Sequence, residues 1–423
     1  MVEKRLTEVA TEGERMPLTG MRVIDASTIL AGPLAAALLG DFGAEVIKVE
    51  QTFVGDPVRR YPPSVDGQAI GSKVTNRNKR SIGIDFHMQE GRALFRRLVA
   101  EADAVVVNFR PETLAKWEID YEDLTSASDR LVMLHLTGFG RTGPYRDRPG
   151  FARIAEAYAG LTYITGFPEG PPMFAGYAVG DGLAGVYGAF SLMLALFERQ
   201  ISGKGQLIDL ALYEPTLKIL ENLVISYSAT GKIAERVGNL NKSVAPSDIY
   251  RTSDGKWVAI PSSTPNMYAR LCEALGRRDL VEDPRFVDNS SRVENQVALD
   301  AELRPEIERR SCGDLLSLLD RAGVAAGPVN TVEDLVGDEH VWDRGSLQRV
   351  FDPNLEREFV VQGVFPKLSR TPGRIQFLGH EAGQDTVEIL RSVLNCDDAE
   401  VKELLKIGAV SSATGFSERP LNV

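Results

Sequence analysis

The feature that most constrains the fold is an alternation of short apolar segments with longer helical ones over the first half of the chain. Helical patterns such as Gln89–Val99 lie between segments that have the composition of buried strands: Met21–Ala26, Glu45–Glu50, Ala104–Asn108 and Leu131–Leu136. Alternation at this spacing is typical of βαβ units. The sequence therefore predicts an α/β fold, with a Rossmann-like, mostly parallel sheet covered by helices on both faces.

The pattern changes near residue 228, which predicts a second, smaller domain. A turn at Asp254-Gly255 indicates a hairpin, and helices are expected near 265–275, 296–309 and 313–322. Strand-like segments and a charged helix around 384–405 follow. We expect an N-terminal extension (1–17), the large domain (18–227), a linker (228–247), a small α+β domain (248–335) and a C-terminal return to the large domain (336–423).

Composition limits the partners. Lys and Arg total 48 against 59 Asp and Glu, a net charge of −11, which argues against nucleic acid or an anionic membrane as a partner. Three scattered cysteines and four histidines show no metal-ligand spacing, so we expect reduced thiols, no metal and a cytoplasmic protein. The apolar run Leu183–Phe197 is too short to span a bilayer and suits a core helix.

One motif resembles a dinucleotide fingerprint without its context. Gly138–Gly143 fits GxGxxG after a strand, but the residues that follow, with two prolines, cannot easily open the helix that a pyrophosphate needs. The first turn, Asp25–Pro33, has a single glycine and offers no close approach to a pyrophosphate. We therefore do not expect NAD to bind here, and a Rossmann-like fold does not by itself require a dinucleotide.

Basic residues gather at the predicted strand ends, where ligands bind in open α/β sheets. By itself a charge run such as Asn76–Arg80 is more often a solvated loop. Together, these cations would suit a polyphosphate ligand and would form a basic pocket lining. They are Arg77, Lys79, Arg80, Arg110, Lys116 and Arg148.

Asp181 has two interpretations. It lies between two glycines before an apolar helix, so it could simply cap that helix. Alternatively, the open glycine turn exposes a carboxylate that is competent against a thioester when partly desolvated. Further glycines at 182, 185 and 188 would let a neighbouring element approach the helix closely.

An ordered set of motifs resembles the class III CoA-transferases, the CaiB/BaiF family. The set includes Ala31-Gly-Pro33, Gly43–Glu50, Asn108–Pro111, Gly180-Asp181 and Gly203–Gln206. The resemblance covers roughly residues 17–405. It implies a Rossmann-like large domain, a smaller inserted domain and an interlocked homodimer. It also implies an acyl-CoA as co-substrate, with no permanently bound cofactor.

The family's functional residues can be carried over to matching positions of this sequence. This resemblance implies that Asp181 is the nucleophile and that a set of residues contacts CoA. These contacts are Ile29, Leu30, Gln51, Ile84, Asp85, His87, Asn108, Phe109, Arg110, Lys116, Arg148 and Phe151. The implied reaction moves CoA from a donor such as succinyl-CoA to a small carboxylic or dicarboxylic acid, through an aspartyl anhydride and an aspartyl-CoA thioester. We expect N–H groups of the Gly180–Gly182 turn to stabilise the oxyanions.

Two alternatives stay open. The 2-methylacyl-CoA racemases resemble this chain too, but they use a histidine thirty residues before the aspartate, and this position is Phe151 here. Two-base proton exchange would then lack one partner. The second alternative is a non-catalytic CoA-binding relative in which Asp181 is only a cap.

Overall fold

The computed structural model describes residues 15–126, 129–262 and 264–413. The described residues form two compact units, the first within 15–161, 175–225 and 340–413 and the second within 162–174 and 226–339. The second unit thus takes 162–174 and 226–227 from the range predicted for the large domain, and 336–339 from the range predicted for the C-terminal return. Most of the predicted N-terminal extension, residues 1–14, lies outside the described residues.

Fourteen strands occur in the described residues. In chain order they are β1 (Arg22–Asp25), β2 (Glu45–Glu50), β3 (Ser64–Val65), β4 (Gln68–Ala69), β5 (Lys79–Ile84), β6 (Ala104–Val107), β7 (Val132–Thr137), β8 (Leu207–Ala211), β9 (Ser247–Arg251), β10 (Trp257–Pro261), β11 (Gly327–Pro328), β12 (Leu347–Asp352), β13 (Arg357–Gln362) and β14 (Val410–Ser411).

Nineteen α-helices and one 3₁₀ turn (Pro57–Arg60) complete the described elements. The helices are α1 (Ala31–Asp41), α2 (Ile70–Thr75), α3 (Gln89–Ala100), α4 (Pro111–Trp117), α5 (Tyr121–Thr125), α6 (Ala152–Tyr158), α7 (Leu161–Ile164), α8 (Val179–Ser202), α9 (Tyr213–Ile219), α10 (Glu221–Thr230), α11 (Pro265–Leu275), α12 (Asp279–Glu282), α13 (Asn289–Glu294), α14 (Gln296–Glu308), α15 (Cys312–Arg321), α16 (Val332–Gly337), α17 (Glu339–Asp343), α18 (Thr386–Ser392) and α19 (Asp398–Ile407).

The first unit is built on a seven-stranded sheet in the order β14-β5-β2-β1-β6-β7-β8. All neighbours pair in parallel except β14, which runs antiparallel to β5. The six parallel strands follow the doubly wound order in which the chain reverses direction between β1 and β6. The predicted Rossmann-like sheet is therefore confirmed, and its switch point lies between the ends of β1 and β6.

Apolar cores cover both faces of this sheet. On one face α3 contributes Phe95 and Leu98 and α18 contributes Leu390, each with no exposed surface, and α19 adds the buried Val401. On the other face α1 and α8 contribute Ala35 and Leu192. Burial on both faces explains why the central strands are uniformly apolar instead of alternating.

Helix α8 packs closely against α1 through glycines. A Cβ at Gly185 would lie 2.8–2.9 Å from three atoms of the Leu34 side chain, and one at Gly188 would lie 2.9 Å from Leu134. The expected close approach is confirmed at these two positions, whereas Gly182 faces open space. The length and composition of α8 would also suit a membrane span, but its buried face packs on α1 and the sheet.

The second unit has its own core around the β9–β10 hairpin. Strand β11 pairs with β10, and helices α11, α14 and α15 pack their apolar faces together through Leu271, Leu303 and Leu319. The predicted hairpin and the three predicted helices are confirmed here. Of the predicted linker 228–247, the first three residues are the end of α10.

Two further predictions concern local structure. The GxGxxG segment forms a turn with positive φ at Gly140 and Gly143 and opens no helix before α6, as expected.

The prediction of a single C-terminal helix around 384–405 is wrong, because the chain forms the two helices α18 and α19 instead. Asp397 has an extended conformation and accepts hydrogen bonds from the N–H groups of Ala399 and Glu400, which starts a new helix.

The packing of α8 makes a stability prediction. Gly185→Ala places a methyl group inside contact distance of Leu34 near its backbone, so we expect the free energy of unfolding to fall by about 1–3 kcal/mol. Unfolding in urea, monitored by circular dichroism, measures this free energy. Gly182→Ala on the same helix is the control and should not destabilise, because nothing lies within 4 Å of its added methyl. Equal effects at both positions would contradict the packing argument.

Candidate active site

The turn after β1 lies at the switch point of the sheet, where β6 ends beside it. The side chain of Asn108 accepts from the N–H of Thr28 at 2.9 Å, and its amide donates to the Thr28 carbonyl at 2.9 Å. The N–H of Ile29 donates to both carboxylate oxygens of Asp56, at 3.0 and 3.2 Å. Side chains from two neighbouring loops therefore fix the backbone of this turn.

A buried group of charges, which we call the ion cluster, lies beneath the turn. It consists of Asp25, Lys48, Asp56 and Lys79, each at most 1% exposed. Lys79 contacts Asp25 at 2.8 Å, Lys48 contacts Asp56 at 2.9 Å, and Lys48 also donates to the carbonyl of Ser27. Burial raises the pKa of Asp25, but the two lysines outweigh it and hold the net pKa below its ordinary value.

The ion cluster supports a strained residue. Ile29 has a φ of 73°, a left-handed conformation that is rare for a β-branched side chain. Such conformations persist where the surroundings over-determine them, and they occur often at functional sites. Here the Asp56 carboxylate holds the Ile29 N–H, so the strained turn and the start of α1 have one fixed geometry.

Asp181 lies in the first turn of α8 and does not cap it. The cap residue is Ala178, without a side-chain cap bond. No hydrogen bond to the Asp181 carboxylate comes from a residue that the structure describes. The cap interpretation is therefore wrong, and the carboxylate is left for another role.

The environment of Asp181 makes its carboxylate more basic. Burial raises its pKa from 3.8 to about 6, and the negative charge of Glu156 adds to this effect. A carboxylate desolvated in this way is a better nucleophile than one in water. Glu156 belongs to none of the motifs in the sequence.

The Asp181 pocket is a cavity of about 130 Å³ at the carboxyl end of the sheet. It brings together five of the predicted residues: Ile29, Leu30, Asn108, Phe151 and Asp181. Twelve residues line it; the others are Thr28, Ala31, Leu136, Thr137, Gly138, Gly150 and Leu212. Gly138 and Gly150 approach so closely that a Cβ on one would lie 2.6 Å from the Cα of the other, so the GxGxxG turn forms part of the wall.

A second group of predicted residues gathers around an aromatic cluster made of Phe86, Phe109 and Trp117. The Trp117 ring lies 5.1 Å from Phe86, 5.0 Å from Phe109 and 5.7 Å from His87. Lys116, exposed on α4, precedes Trp117. The cluster thus groups an exposed imidazole and an exposed cation beside aromatic rings at the ends of β5 and β6.

Asp85 is tied into the same region. Its carboxylate accepts from the side chain of Gln51 at 2.9 Å and from the backbone N–H of His87 at 2.8 Å. Burial raises the pKa of Asp85, but these hydrogen bonds outweigh it and leave the pKa below its ordinary value. Gln51, Asp85 and His87 therefore form one connected group.

Ile84 requires a correction. Its side chain is fully buried in the core and its backbone lies in β5, opposite Val410 of β14. A side chain with no exposed surface cannot contact CoA. A motif position does not show which face of a strand is covered, so the predicted contact of Ile84 with CoA is wrong.

The expected basic lining also requires a correction. Lys79 belongs to the ion cluster, Arg77 pairs with Asp41, and Arg80 pairs with Glu45. These three cations stabilise the fold around β5 and are not free for phosphates. The exposed cations among those predicted are Arg110, Lys116 and Arg148.

His135 belongs to none of the motifs in the sequence, and only the structure shows its surroundings. It is completely buried on β7, where Nδ1 accepts from Arg141 at 2.8 Å and Nε2 donates to the carbonyl of Phe109 at 2.7 Å. Because an arginine can only donate, the contact fixes the neutral tautomer. Burial lowers the pKa of His135 as well. His135 therefore orients the Phe109 backbone beside Arg110.

The comparisons with known proteins agree with this geometry. The model of CoA-transferase family III matches residues 18–386. The chain belongs to CoA-transferase family III. It is therefore a transferase, and CoA is its co-substrate.

Similar proteins include two named transferases of Chloroflexus aurantiacus. A succinyl-CoA–D-citramalate CoA-transferase is 41% identical over 92% of this chain and 96% of its own length. The beta subunit of a succinyl-CoA–L-malate CoA-transferase is 39% identical over 92% and 97%. A crystal structure of a CAIB/BAIF family protein from Brucella suis matches with a TM-score of 0.80 and 36% identity, over 89% of this chain and 98% of that one.

The raised pKa of Asp181 predicts a pH-dependent cost to stability. Between pH 4 and pH 6 the unfolded chain ionises Asp181 while the folded chain still holds the proton, so the wild type loses stability as pH rises through this window. We expect Asp181→Asn to be more stable than the wild type by about 1–2 kcal/mol at pH 7.5, and by less at pH 4.5. Urea unfolding at both values measures the difference.

The control for this prediction is Asp147→Asn. Asp147 is well exposed, so its replacement should change stability equally at both pH values. A gain for Asp181→Asn that does not depend on pH would contradict the assigned ionisation.

Proposed function

We propose that this chain transfers CoA from succinyl-CoA to a small dicarboxylic acid, with Asp181 as the covalent nucleophile. The observation that carries the proposal is a half-buried carboxylate, free of hydrogen bonds from described residues, that opens into the Asp181 pocket. The relatives named for citramalate and malate support a donor and acceptors of this class.

The reaction proceeds through two kinds of covalent intermediate on Asp181: a mixed anhydride, formed once with succinate and once with the acceptor acid, and a CoA thioester between them. Its carboxylate attacks the thioester carbonyl of succinyl-CoA, the C–S bond breaks, and an aspartyl-succinyl anhydride and CoA thiolate form. The thiolate attacks the aspartyl carbonyl, which releases succinate and leaves an enzyme-CoA thioester. The acceptor carboxylate displaces the thiolate from this thioester. The thiolate then attacks the acceptor carbonyl, which gives the new acyl-CoA and restores the Asp181 carboxylate.

The expected oxyanion donors need revision. The N–H of Gly180 donates to Glu156 at 2.9 Å and that of Gly182 to the carbonyl of Ala178 at 3.1 Å, so neither is free. The start of α1 offers an alternative, because Leu30 and Ala31 line the pocket and α1 has no side-chain cap. N–H groups at the N-terminus of a helix stabilise developing negative charge. We assign the oxyanion contacts to the N–H groups of Leu30 and Ala31.

CoA binding follows from the two groups of residues at the strand ends. The strained turn at Ile29 and Leu30, with Asn108 and Phe151, would hold the thioester end beside Asp181. The group of Gln51, Asp85 and His87, with Phe109 and the aromatic cluster, offers flat surfaces and hydrogen-bonding groups for the adenine. The exposed cations for the phosphates would be Arg110, Lys116 and Arg148.

The racemase alternative finds no support in the pocket. Phe151 occupies the position of the racemase histidine, and no histidine lines the Asp181 pocket among the described residues. The nitrogens of His135 are both engaged, which leaves no base there. Two-base proton exchange needs a second acid/base group that this pocket does not supply.

We further propose a homodimer in the cytoplasm. One face of α8 exposes large apolar side chains, among them Phe190, Leu194 and Phe197, each more than half exposed. Beside them lies an apolar groove of about 690 Å³ lined by residues such as Phe42 and Phe365. A continuous apolar surface of this kind marks an interface. The partner that we assign is a second copy of the chain, interlocked as the resemblance implies.

The three cysteines are free and buried, in keeping with a reducing compartment.

The covalent scheme predicts a trapped intermediate. Incubation with succinyl-CoA followed by hydroxylamine or borohydride should modify Asp181, as detected by peptide mass spectrometry, because both reagents attack its activated carbonyl. Incubation with free CoA is the control and should give no adduct. Asp181→Ala should lose at least about 10³-fold in kcat, and an active Asp181→Ala enzyme without any wild-type adduct would refute the scheme. Assaying succinyl-CoA against a panel of mono- and dicarboxylic acids then tests the substrate class.

The apolar face predicts the oligomeric state. Light scattering coupled to gel filtration should give twice the mass of the chain, and the double change of Phe190 and Phe197 to Glu should yield monomer or aggregate because charges cannot be buried at the interface. The control is Val297→Glu, at an exposed apolar position of the second unit, which should leave the dimer intact. A monomeric wild type would exclude this interface.

A further inference from the structure

Glu156 is a buried carboxylate that the reaction scheme does not use. It lies on α6, 1% exposed, and in the described part of the chain no nitrogen of a Lys, Arg or His side chain lies within 4.0 Å of its carboxylate oxygens. Burying an unpaired carboxylate is costly, and such a group needs a compensating interaction. The one that the structure offers is the N–H of Gly180, which donates to its Oε1 at 2.9 Å.

This contact fixes the residue next to Asp181. Helices α6 and α8 approach so closely that a Cβ at Gly180 would lie 3.0 Å from the carbonyl of Ala152 and 3.3 Å from Cγ of Glu156. A side chain at position 180 would therefore crowd Ala152 and Glu156, and the glycine permits the close approach. Because Gly180 is held by Glu156, the first turn of α8 and the direction of the Asp181 side chain depend on this carboxylate.

The charge of Glu156 has a second consequence. Asp181 is negative as the free carboxylate and neutral as the anhydride or the CoA thioester. A negative neighbour raises the free energy of the charged form alone. It therefore shifts the balance from the free carboxylate towards the covalent forms and makes the carboxylate a more basic nucleophile.

The other titratable groups around α8 do not provide this effect. Burial and Glu156 are the two causes of the raised pKa of Asp181. The remaining titratable or charged side chains on α8 and on the elements packed against it are Asp41 (α1), Arg153 and Tyr158 (α6), His135 (β7), Asp209 (β8), Tyr213, Glu214 and Lys218 (α9) and Tyr187, Glu198 and Arg199 (α8). Of these, Asp41 pairs with Arg77, Asp209 accepts from the N–H of Arg141, and Arg199 pairs with Asp103.

We propose that Glu156 is a positioning residue for the nucleophile: its carboxylate holds the Gly180 N–H, and its negative charge favours the acylated form of Asp181. This inference rests on the proposed function, because it requires Asp181 to be acylated. It assigns to a buried glutamate on a separate helix both the geometry and the reactivity of the nucleophile.

Two substitutions separate the two roles. Glu156→Gln keeps an oxygen for the Gly180 N–H and removes the charge. The acidic limb of the pH profile of kcat/KM for succinyl-CoA, expected near pH 6 in the wild type, should then move down by about half to one pH unit, and kcat at pH 8 should fall about 3- to 10-fold. Glu156→Asp keeps the negative charge, but its side chain is too short to reach the Gly180 N–H. The acidic limb should therefore stay at the wild-type pH, and kcat should fall.

The control is Glu214→Gln. Glu214 also accepts a backbone N–H at the start of a helix, from Ala211 at 2.9 Å, but it does not contribute to the pKa of Asp181. This variant should keep the wild-type limb and kcat. If Glu156→Gln does not fold, as judged by circular dichroism, Glu156→Asp decides the contact role, and wild-type kcat in that variant overturns it.

The outcomes separate this inference from the proposed function. Trapping of the Asp181 adduct is measured in wild type and in Glu156→Gln, which should accumulate less of it. Suppose that the wild type forms the adduct and that Glu156→Gln has the wild-type acidic limb, kcat and adduct yield. The role of Glu156 is then refuted, while the covalent scheme stands. If the wild type is active without an adduct, the scheme itself fails.

Discussion

The ion cluster of Asp25, Lys48, Asp56 and Lys79 determines the geometry on which the site depends. The carboxylate of Asp25 contacts Lys79 at 2.8 Å, and the carboxylate of Asp56 holds both Lys48 and the N–H of Ile29. Losing one member of a buried ion set leaves an uncompensated charge, at a cost of about 3–5 kcal/mol. The cluster therefore holds the turn in place strongly enough to keep Ile29 in a strained conformation.

This turn and the start of α8 face each other across the Asp181 pocket, and each is held by a buried carboxylate from another element. Asp56 holds the N–H of Ile29, and Glu156 holds the N–H of Gly180. Fixing backbone N–H groups with side chains that are themselves buried is a way to preorganise a site without loop closure. The glycines at 180, 185 and 188 let α8 approach α6, α1 and the sheet closely enough for this arrangement.

A chain with a net negative charge can bind the anionic CoA where cations are placed together locally. Several cations that are close in sequence, Arg77, Lys79 and Arg80, are consumed by ion pairs within the first unit. The exposed Arg110, Lys116 and Arg148 are fewer, and at strand ends they are placed where an open sheet binds ligands. The net charge of −11 thus excludes a basic surface without excluding a phosphate site.

The sequence by itself determined the parallel sheet, because a strand buried on both faces must be apolar along its whole length, as in Ala104–Val107. It also determined Asp181 as the candidate nucleophile, because the Gly180-Asp181 turn is a local signal that completes a family motif. It could not distinguish Ile84, whose exposure depends on β14 covering β5 from the other end of the chain, or Lys79, whose partner lies 54 residues away. Only the tertiary structure revealed Glu156, since a contact between helices separated by 24 residues leaves no periodic pattern in the sequence.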